Sequence, residues 1–305
     1  MKKNKGSTGV VLAALCANLF IAAVKFVVTW VTRSSAMFAE AVHSTADAFN
    51  QIFLLIGIKA GDKKADELHP FGFSSESYFW SFIVAIFLFT AGAIFSIIEG
   101  IHKMLHPLPL KHPHFAYLVL VLSIAAEAVS FRIAARKIRS ERGKEKIFSY
   151  LHRTKKSELI VVFLEDLAAI IGLSIALVFI VAEQLSGILL FDGLASVLIG
   201  GLLAGIALFL GFETKSLLIG ESADPDLLKT IYGIILREEN IRRVIHVRSL
   251  QMGPEDILLA VKAEFDERLN ATEVSTLING IEKEIRGQYP EVKKIFIEPD
   301  VFRPA

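Results

Sequence analysis

Long apolar stretches alternate with short polar stretches over the first two thirds of the chain. A helix needs about 20 mostly apolar residues to cross the hydrocarbon core of a bilayer. Six stretches meet this criterion, at residues 9–32, 35–58, 78–98, 114–131, 159–182 and 190–212. Later apolar segments, such as 289–297, are too short and too charged to span. The pattern therefore predicts six transmembrane helices.

The first apolar stretch follows Lys2, Lys3 and Lys5, as the apolar core of a signal peptide would. However, its apolar run is too long for a signal peptide, and no clean small-x-small cleavage site ends it. A lipoprotein site at Cys16 is also poorly matched, because Leu15 precedes it. We interpret this stretch as a true membrane span.

Basic residues are concentrated in alternate connections between the stretches. In membrane proteins, short loops on the cytoplasmic side are enriched in Lys and Arg. The N-terminus, the second loop with Lys59, Lys63 and Lys64, and the fourth loop at 132–156 are all basic, whereas the other loops are not. This asymmetry predicts a multi-pass membrane protein with cytoplasmic N- and C-termini. Lys-rich short termini and no transit peptide favour a bacterial inner membrane.

Beyond residue 212 the apolar runs become short. Asp224-Pro225 predicts the start of a helix that runs to about residue 238. Residues 243–251 and 257–265 alternate as strands do, and 293–298 predicts a last strand. Asn270 with Glu273 predicts the capped start of another helix. We predict a transmembrane domain over 1–212 and a small α+β cytoplasmic domain over 213–305, which would gain stability from dimerisation.

Composition adds mainly exclusions. The chain has 33 Lys and Arg against 32 Asp and Glu, so charge indicates no nucleic-acid partner. Its mean hydropathy of +0.52 is high for a soluble protein of this size. A single cysteine excludes an intrachain disulfide framework and a cysteine-based zinc cage.

Ionisable residues inside the spans are the candidate chemistry. A charged group at membrane depth costs about 2.5–3.5 kcal/mol, so it usually faces the protein interior and marks a pathway. His43 and Asp47 are four residues apart, which places both on one helix face. Imidazole nitrogen and carboxylate oxygen are suitable zinc ligands, and Glu40 extends the same stripe. An interhelical hydrogen bond or a buried ion pair without metal is the alternative.

Two ligands on one helix cannot complete a tetrahedral shell, so another span must contribute. The fifth span supplies Glu165 and Asp166, and this second acidic pair favours metal binding. The second loop carries Asp66 and His69, where a surface metal site and a simple polar loop remain equally open. The third loop holds four histidines that could buffer released metal, on composition alone: His102, His106, His112 and His114.

Other residues of the spans are interpreted as structural. Asp192 lies where it can cap the sixth span, Lys25 can snorkel or pair with an intramembrane acid, and Glu127 can alternatively line an ion route. Gly201 and Gly205 have the GxxxG spacing that lets helices approach closely.

These motifs resemble the cation diffusion facilitator family. The similarity covers nearly the whole chain and is strongest over residues 37–47, in the loop His69-Pro70-Phe71-Gly72, around Asp166 and in the layout of six spans plus a tail. The branch most similar to the chain contains the mitochondrial zinc transporter nine of animals, because both share Leu164-Glu165-Asp166 and the run 39–51.

The resemblance implies a homodimer that exchanges Zn2+, or in some members Mn2+, Fe2+, Co2+ or Cd2+, for protons by alternating access. It implies an intramembrane metal site of His43, Asp47 and Asp166. Val162 stands where the family has a histidine ligand, so Glu165, Glu40 or water would fill the gap. An oxygen-rich shell of this kind would loosen the preference for zinc over manganese or iron.

Two further sites follow from the resemblance. A loop site is matched by Asp66 and His69, but Phe73 replaces a second histidine, so that site is incomplete. The tail resembles the family's ferredoxin-like, metallochaperone-like domain, and His246 matches a metal ligand of some members. With its other ligand positions replaced, we expect a dimerisation domain with poor or no metal binding.

The sequence therefore predicts a metal/proton antiporter that moves zinc out of the cytoplasm, not an enzyme. One rival is a membrane-embedded metal-dependent hydrolase that uses metal at His43 and Asp47 to activate water. No separate nucleophile motif or nucleotide loop supports it. The other rival is a passive metal channel, for which Val162 is the best support.

Overall fold

A computed structural model of the chain describes residues 4–302, with the side chains of residues 18–302. The predictions for Lys2, Lys3, Lys5 and Cys16 therefore concern side chains outside the described part. The chain forms two compact units. The first comprises Met1–Ile58, Phe79–His152 and Lys156–Thr214, and the second comprises Lys59–Tyr78, Arg153–Lys155 and Lys215–Ala305. The predicted domain boundary at 212/213 stays a prediction.

Helices dominate the chain up to residue 219. They are α1 (Asn4–Thr32), α2 (Ser35–Gly61), α3 (Glu76–Phe87), α4 (Phe95–Leu105), α5 (Pro113–Arg142), α6 (Ile147–Arg153), α7 (Ser157–Ser186) and α8 (Leu190–Ile219). A π-helical segment, Leu88–Ile94, joins α3 to α4 into one continuous rod. The sequence pattern indicated neither α6 nor the π-helical segment.

Four of the described segments are long and apolar enough to cross a membrane: Glu76–Leu105, Pro113–Arg142, Ser157–Ser186 and Leu190–Ile219. The part of α1 with described side chains, Asn18–Thr32, is a shorter apolar helix. The protein is thus a helical membrane protein with a small C-terminal sheet domain. Of the six predicted spans, the third to the sixth coincide with these four segments.

Glycine lets α4 and α8 pack main chain against main chain. A Cβ atom added at Gly100 would lie 2.6 Å from the carbonyl oxygen of Gly193, and one added at Gly200 would lie 2.9 Å from a main-chain oxygen of the preceding π-helical segment. Within the described part, a Cβ added at Gly201 or Gly205 would meet open space. The close contact therefore uses Gly193 and Gly200, and the predicted role of Gly201 and Gly205 stays a prediction.

A carboxylate of α8 caps the first turn of α2. Asp192 accepts hydrogen bonds from the backbone N–H groups of Ser35 (2.6 Å) and Ala36 (3.2 Å) and from the hydroxyls of Ser34 and Ser35. The ammonium group of Lys103, in α4, lies 3.6 Å from the same carboxylate. The structural role predicted for Asp192 is confirmed, but the helix that it caps is α2 and not its own.

The second unit holds the C-terminal fold. Its elements are α9 (Pro225–Leu236), β1 (Ile241–Gly253), β2 (Asp256–Phe265), α10 (Ala271–Gln288) and β3 (Val292–Pro299). The sheet has the order β1-β2-β3, with β1 antiparallel and β3 parallel to β2. Asn270 and Glu273 form the predicted capping box at the start of α10. The predicted order of helix, strand, strand, helix, strand is confirmed.

The loop at residues 59–78 packs against this sheet and belongs to the same unit. The Ser74 hydroxyl donates to Asp256 (2.6 Å), at the start of β2, and the Ser75 hydroxyl donates to the carbonyl of Met252 (2.9 Å). Phe71 contacts Phe296 edge-to-face, with ring centroids 6.4 Å apart. The loop is therefore ordered by the C-terminal fold.

Candidate metal site

A stripe of polar side chains runs along the inward face of α2. It consists of Glu40, His43, Asp47 and Asn50, at successive spacings of three or four residues. Glu40, His43 and Asn50 are completely buried, and the Asp47 side chain is 17% exposed. Spacings of three and four place side chains on one face of a helix, so the sequence alone sets up this stripe.

Helix α7 lies against the stripe at two heights. Glu165, which is buried, accepts a hydrogen bond from the amide of Asn50 at 2.5 Å. Two helical turns further along α7, a Cβ added at Gly172 would lie 2.6 Å from Oε1 of Glu40. The predicted meeting of polar groups from the second and fifth spans is therefore present between α2 and α7.

The two acids of α7 face different neighbours. Glu165 contacts α2, whereas the half-buried Asp166 accepts a hydrogen bond from the Ser130 hydroxyl of α5 at 2.8 Å. Consecutive residues of a helix point about 100° apart, so only one of the two can face the stripe in a given arrangement. Asp47 lies within electrostatic range of Glu165, Glu127 and Glu40.

A buried cation is part of the same cluster. Lys25 of α1 is 1% exposed and donates to Glu40 at 3.2 Å and to the Ser44 hydroxyl at 2.7 Å. The alternative that Lys25 pairs with an intramembrane acid is thus confirmed. A paired charge is the usual state of a buried ionisable side chain, because an isolated charge is costly there.

Several buried ligand atoms of the stripe have no hydrogen-bond partner. They are both ring nitrogens of His43, Oδ1 of Asp47, Oε1 of Glu40 and Oδ1 of Asn50. The His43 Nδ1 and Asp47 Oδ1 atoms are 3.5 Å apart, too far for a good hydrogen bond. Unpaired buried polar atoms cost free energy, so atoms of this kind need an explanation such as an ion or water.

The side chains of α2 and α7 provide pairs of metal ligands but not a complete coordination shell. Among residues 18–302, no three His, Cys, Asp or Glu side chains are close enough to hold one metal ion together. Val162, in the position of the missing histidine, packs against the apolar core of the helices. A bound ion at His43 and Asp47 would need water or a movement of α7 to complete its coordination.

In the loop, Asp66 and His69 bind each other. The backbone N–H of His69 donates to Asp66 at 2.7 Å, and its ring Nδ1 lies 3.1 Å from the same oxygen. The backbone donor holds the pKa of Asp66 below its ordinary value. Phe73 packs on the His69 ring, with centroids 4.3 Å apart. Both side chains are about half exposed, and a polar turn accounts for these contacts; the loop metal site stays a prediction.

Sequence reasoning missed three residues of the site. Ser44 lies four residues after Glu40, and Gly172 lies seven residues after Glu165. Both spacings bring a residue back to the same helix face, so the helical period could have found them. Ser130 carries no comparable signal, because a serine in the largely apolar span of α5 has no spacing that points to Asp166.

Comparison with known proteins then identifies the family. A family model described as the cation efflux transmembrane domain matches residues 11–219. The chain belongs to the cation efflux family. This cation efflux protein is 32% identical over 267 residues to the proton-coupled zinc antiporter SLC30A9, mitochondrial, of Xenopus laevis, a match covering 87% of the chain and 48% of the relative.

Two bacterial relatives match over more of their own length. The manganese efflux system protein MneP of Bacillus subtilis is 27% identical, with 95% of both chains covered. The magnetosome protein MamB of a Magnetospira strain is 26% identical, with 87% of this chain and 85% of the relative covered. By contrast, the chain spans about half the length of the SLC30A9 relatives it matches.

These findings confirm the predicted family and the similarity to the branch of zinc transporter nine. Members of the family are transporters and not enzymes, which agrees with the prediction and leaves the hydrolase alternative without support. The names of the relatives include both zinc and manganese, so they do not decide the metal.

Proposed function

We propose that this cation efflux protein moves a divalent transition-metal ion, Zn2+ first among them, out of the cytoplasm in exchange for protons. In this proposal the protein is a homodimer with six transmembrane helices in a bacterial inner membrane and cytoplasmic termini. Residues 213–305 form the cytoplasmic dimerisation domain. The zinc antiporter among its relatives supports the substrate and the coupling, and the manganese efflux relative keeps Mn2+ as a second substrate.

The observation that carries the proposal is the set of unpartnered ligand atoms where α2 meets α7. Both nitrogens of His43 and an oxygen of Asp47 are buried without hydrogen-bond partners, at a helix contact lined by further carboxylates. Chemistry of this kind suits a transition-metal ion, which prefers imidazole nitrogen and carboxylate oxygen. A purely structural polar contact would satisfy those atoms within the protein.

His43 and Asp47 are the proposed first ligands. Glu165 is the α7 ligand that already faces α2, and Asp166 can take its place only if α7 rotates or tilts. Glu40 is held by Lys25 and remains an additional candidate, as do Asp66 and His69 in the loop. Metal binds the deprotonated forms of these groups, so bound metal and protons compete, and this competition couples the two fluxes.

Transport into proteoliposomes tests the proposal. Purified protein should carry Zn2+ faster when a pH gradient is imposed, and Asp47→Ala should abolish that uptake. The matched control is Asp226→Ala, which removes an exposed carboxylate from the first turn of α9 and should leave uptake unchanged. Full uptake by Asp47→Ala would reject the site.

Three comparisons refine the test. Glu165→Gln should slow Zn2+ uptake more than Asp166→Asn if Glu165 is the α7 ligand, and the reverse order would assign that role to Asp166. Flux that ignores the pH gradient would favour the passive channel over the antiporter. Competition of Mn2+ with Zn2+ measures how far an oxygen-rich shell relaxes the selectivity.

A further inference from the structure

The four histidines near the third loop form two distinct pairs in the structure. His102 and His106 lie at the end of α4, four residues apart, with ring centroids separated by 5.2 Å. His106 is the residue that follows α4, and its backbone N–H donates to the carbonyl of His102 at 2.9 Å, which holds it one turn beyond His102. His112 and His114 are two residues apart at the start of α5, with centroids 5.8 Å apart.

The first pair shares a cavity with a carboxylate. A cavity of about 330 Å³ is lined by Glu99, His102 and His106 of this helix and by the first turn of α2. At 100° per residue, Glu99 and His102 lie about 60° apart on the α4 surface, and the hydrogen bond from the His106 N–H keeps His106 one turn beyond His102. Two histidines at i and i+4 on one helix face are a recognised arrangement for binding a single zinc ion. The second pair has neither the helical spacing nor the carboxylate.

We propose that His102 and His106 form a second binding site for the transported class of ion, a divalent transition metal, with Glu99 as a carboxylate that lines the same cavity and is not a ligand. Imidazole is a good ligand for zinc and its neighbours in the first transition row. The remaining coordination positions are filled by water. Because structural zinc sites use four protein ligands, a site of two histidines holds metal weakly and exchanges it readily.

The charges around the cavity agree with a weak site. Arg33 and Lys103 also line it and oppose a bound cation. The Lys103 ammonium, however, lies 3.6 Å from the buried carboxylate of Asp192 and donates to the carbonyl of Arg33 at 2.6 Å. Its charge is therefore largely compensated, and Glu99 offsets the exposed Arg33.

The cavity lies beside the start of α2, about one and a half helical turns before His43. Phe38 lines it, and His43 follows five residues later, at about 7.5 Å along the helix axis. An ion released from His43 and Asp47 toward the start of α2 would thus reach the histidine pair next. This role as a relay on the exit side depends on the proposed function, whereas metal binding by the pair does not.

Chemical modification of histidine tests the binding directly. The full chain in detergent, carrying Asp47→Ala to disable the proposed intramembrane site, is treated with diethyl pyrocarbonate with and without Zn2+. Mass spectrometry then reads each histidine. With Zn2+ at about ten times the dissociation constant, His102 and His106 should both react about tenfold more slowly, since only the metal-free fraction reacts. Mg2+, which prefers oxygen ligands, should give no protection.

Two variants make the test specific. His106→Gln should abolish the Zn2+ protection of His102, because one imidazole alone holds the ion too weakly. His114→Gln is the matched control and should leave that protection intact. The proposal is overturned if Zn2+ does not slow the modification of His102, or if protection of His102 survives His106→Gln.

The readouts of the two proposals are independent. Protection measured in the Asp47→Ala background stands whether or not the protein transports metal. Loss of transport in Asp47→Ala without protection at His102 would overturn only this inference. Protection at His102 together with full transport by Asp47→Ala would overturn only the proposed function.

Discussion

Replacing Lys25 by methionine should destabilise the helical unit by several kcal/mol. Lys25 and Glu40 are 1% and 0% exposed, and their charged atoms are 3.2 Å apart. At an effective dielectric constant of about 20, two unit charges at that distance attract by about 5 kcal/mol. Removing one partner of a buried ion pair typically costs about 3–5 kcal/mol, because the other charge stays buried without compensation. Methionine keeps most of the side-chain volume, so loss of packing adds little.

A double-mutant cycle separates the interaction energy of the ion pair from the other effects of each substitution. Lys25→Met, Glu40→Gln and the double variant are unfolded in detergent micelles while circular dichroism follows the helices. The double variant should be more stable than Lys25→Met, because it leaves no unpaired charge. The reasoning fails if the free energy of unfolding of Lys25→Met lies within about 0.5 kcal/mol of the parent value, which is the range of most surface substitutions.

Two other substitutions test helix contacts. Gly100→Ala should cost about 1–3 kcal/mol in the same assay, because its Cβ would lie 2.6 Å from the carbonyl oxygen of Gly193, a backbone atom that cannot rotate away. Gly201→Ala, whose Cβ meets open space within the described part, is its control and should not destabilise; equal losses would contradict the contact. Asp192→Ala should cost at least about 1 kcal/mol, the worth of an N-cap, and more because it removes the carboxylate beside Lys103. A melting midpoint unchanged from the parent would refute the cap.

The apolar pattern predicted the last four spans well because length and hydrophobicity decide them. It carried no information on the π-helical segment at Leu88–Ile94, which depends on one extra residue within a turn and not on which face is apolar. The same limit applies to the glycines of α8. Gly200, Gly201 and Gly205 look equivalent in the sequence, and only the position of α4 shows that Gly200 makes the contact.

The candidate site was predictable in part. Helical spacing put His43 and Asp47 on one face, and the structure buries that face against α7. Spacing could not decide between Glu165 and Asp166, because they are neighbours in sequence and the azimuth of α7 is set by tertiary packing. Likewise, a lysine in the first span gives no sign of its partner until α1 and α2 are packed together.

The cap that Asp192 places on α2 has a mechanical consequence. Because one carboxylate of α8 holds the amides of Ser35 and Ala36, α2 cannot slide lengthwise past α8 without breaking those bonds. It can still rotate as a rigid rod about its capped end, which acts as the fulcrum. His43 lies about 12 Å from that fulcrum and Ile58 about 35 Å, at 1.5 Å per residue. A swing of about 10° would thus move His43 by only about 2 Å and Ile58 by about 6 Å, given the same rise per residue.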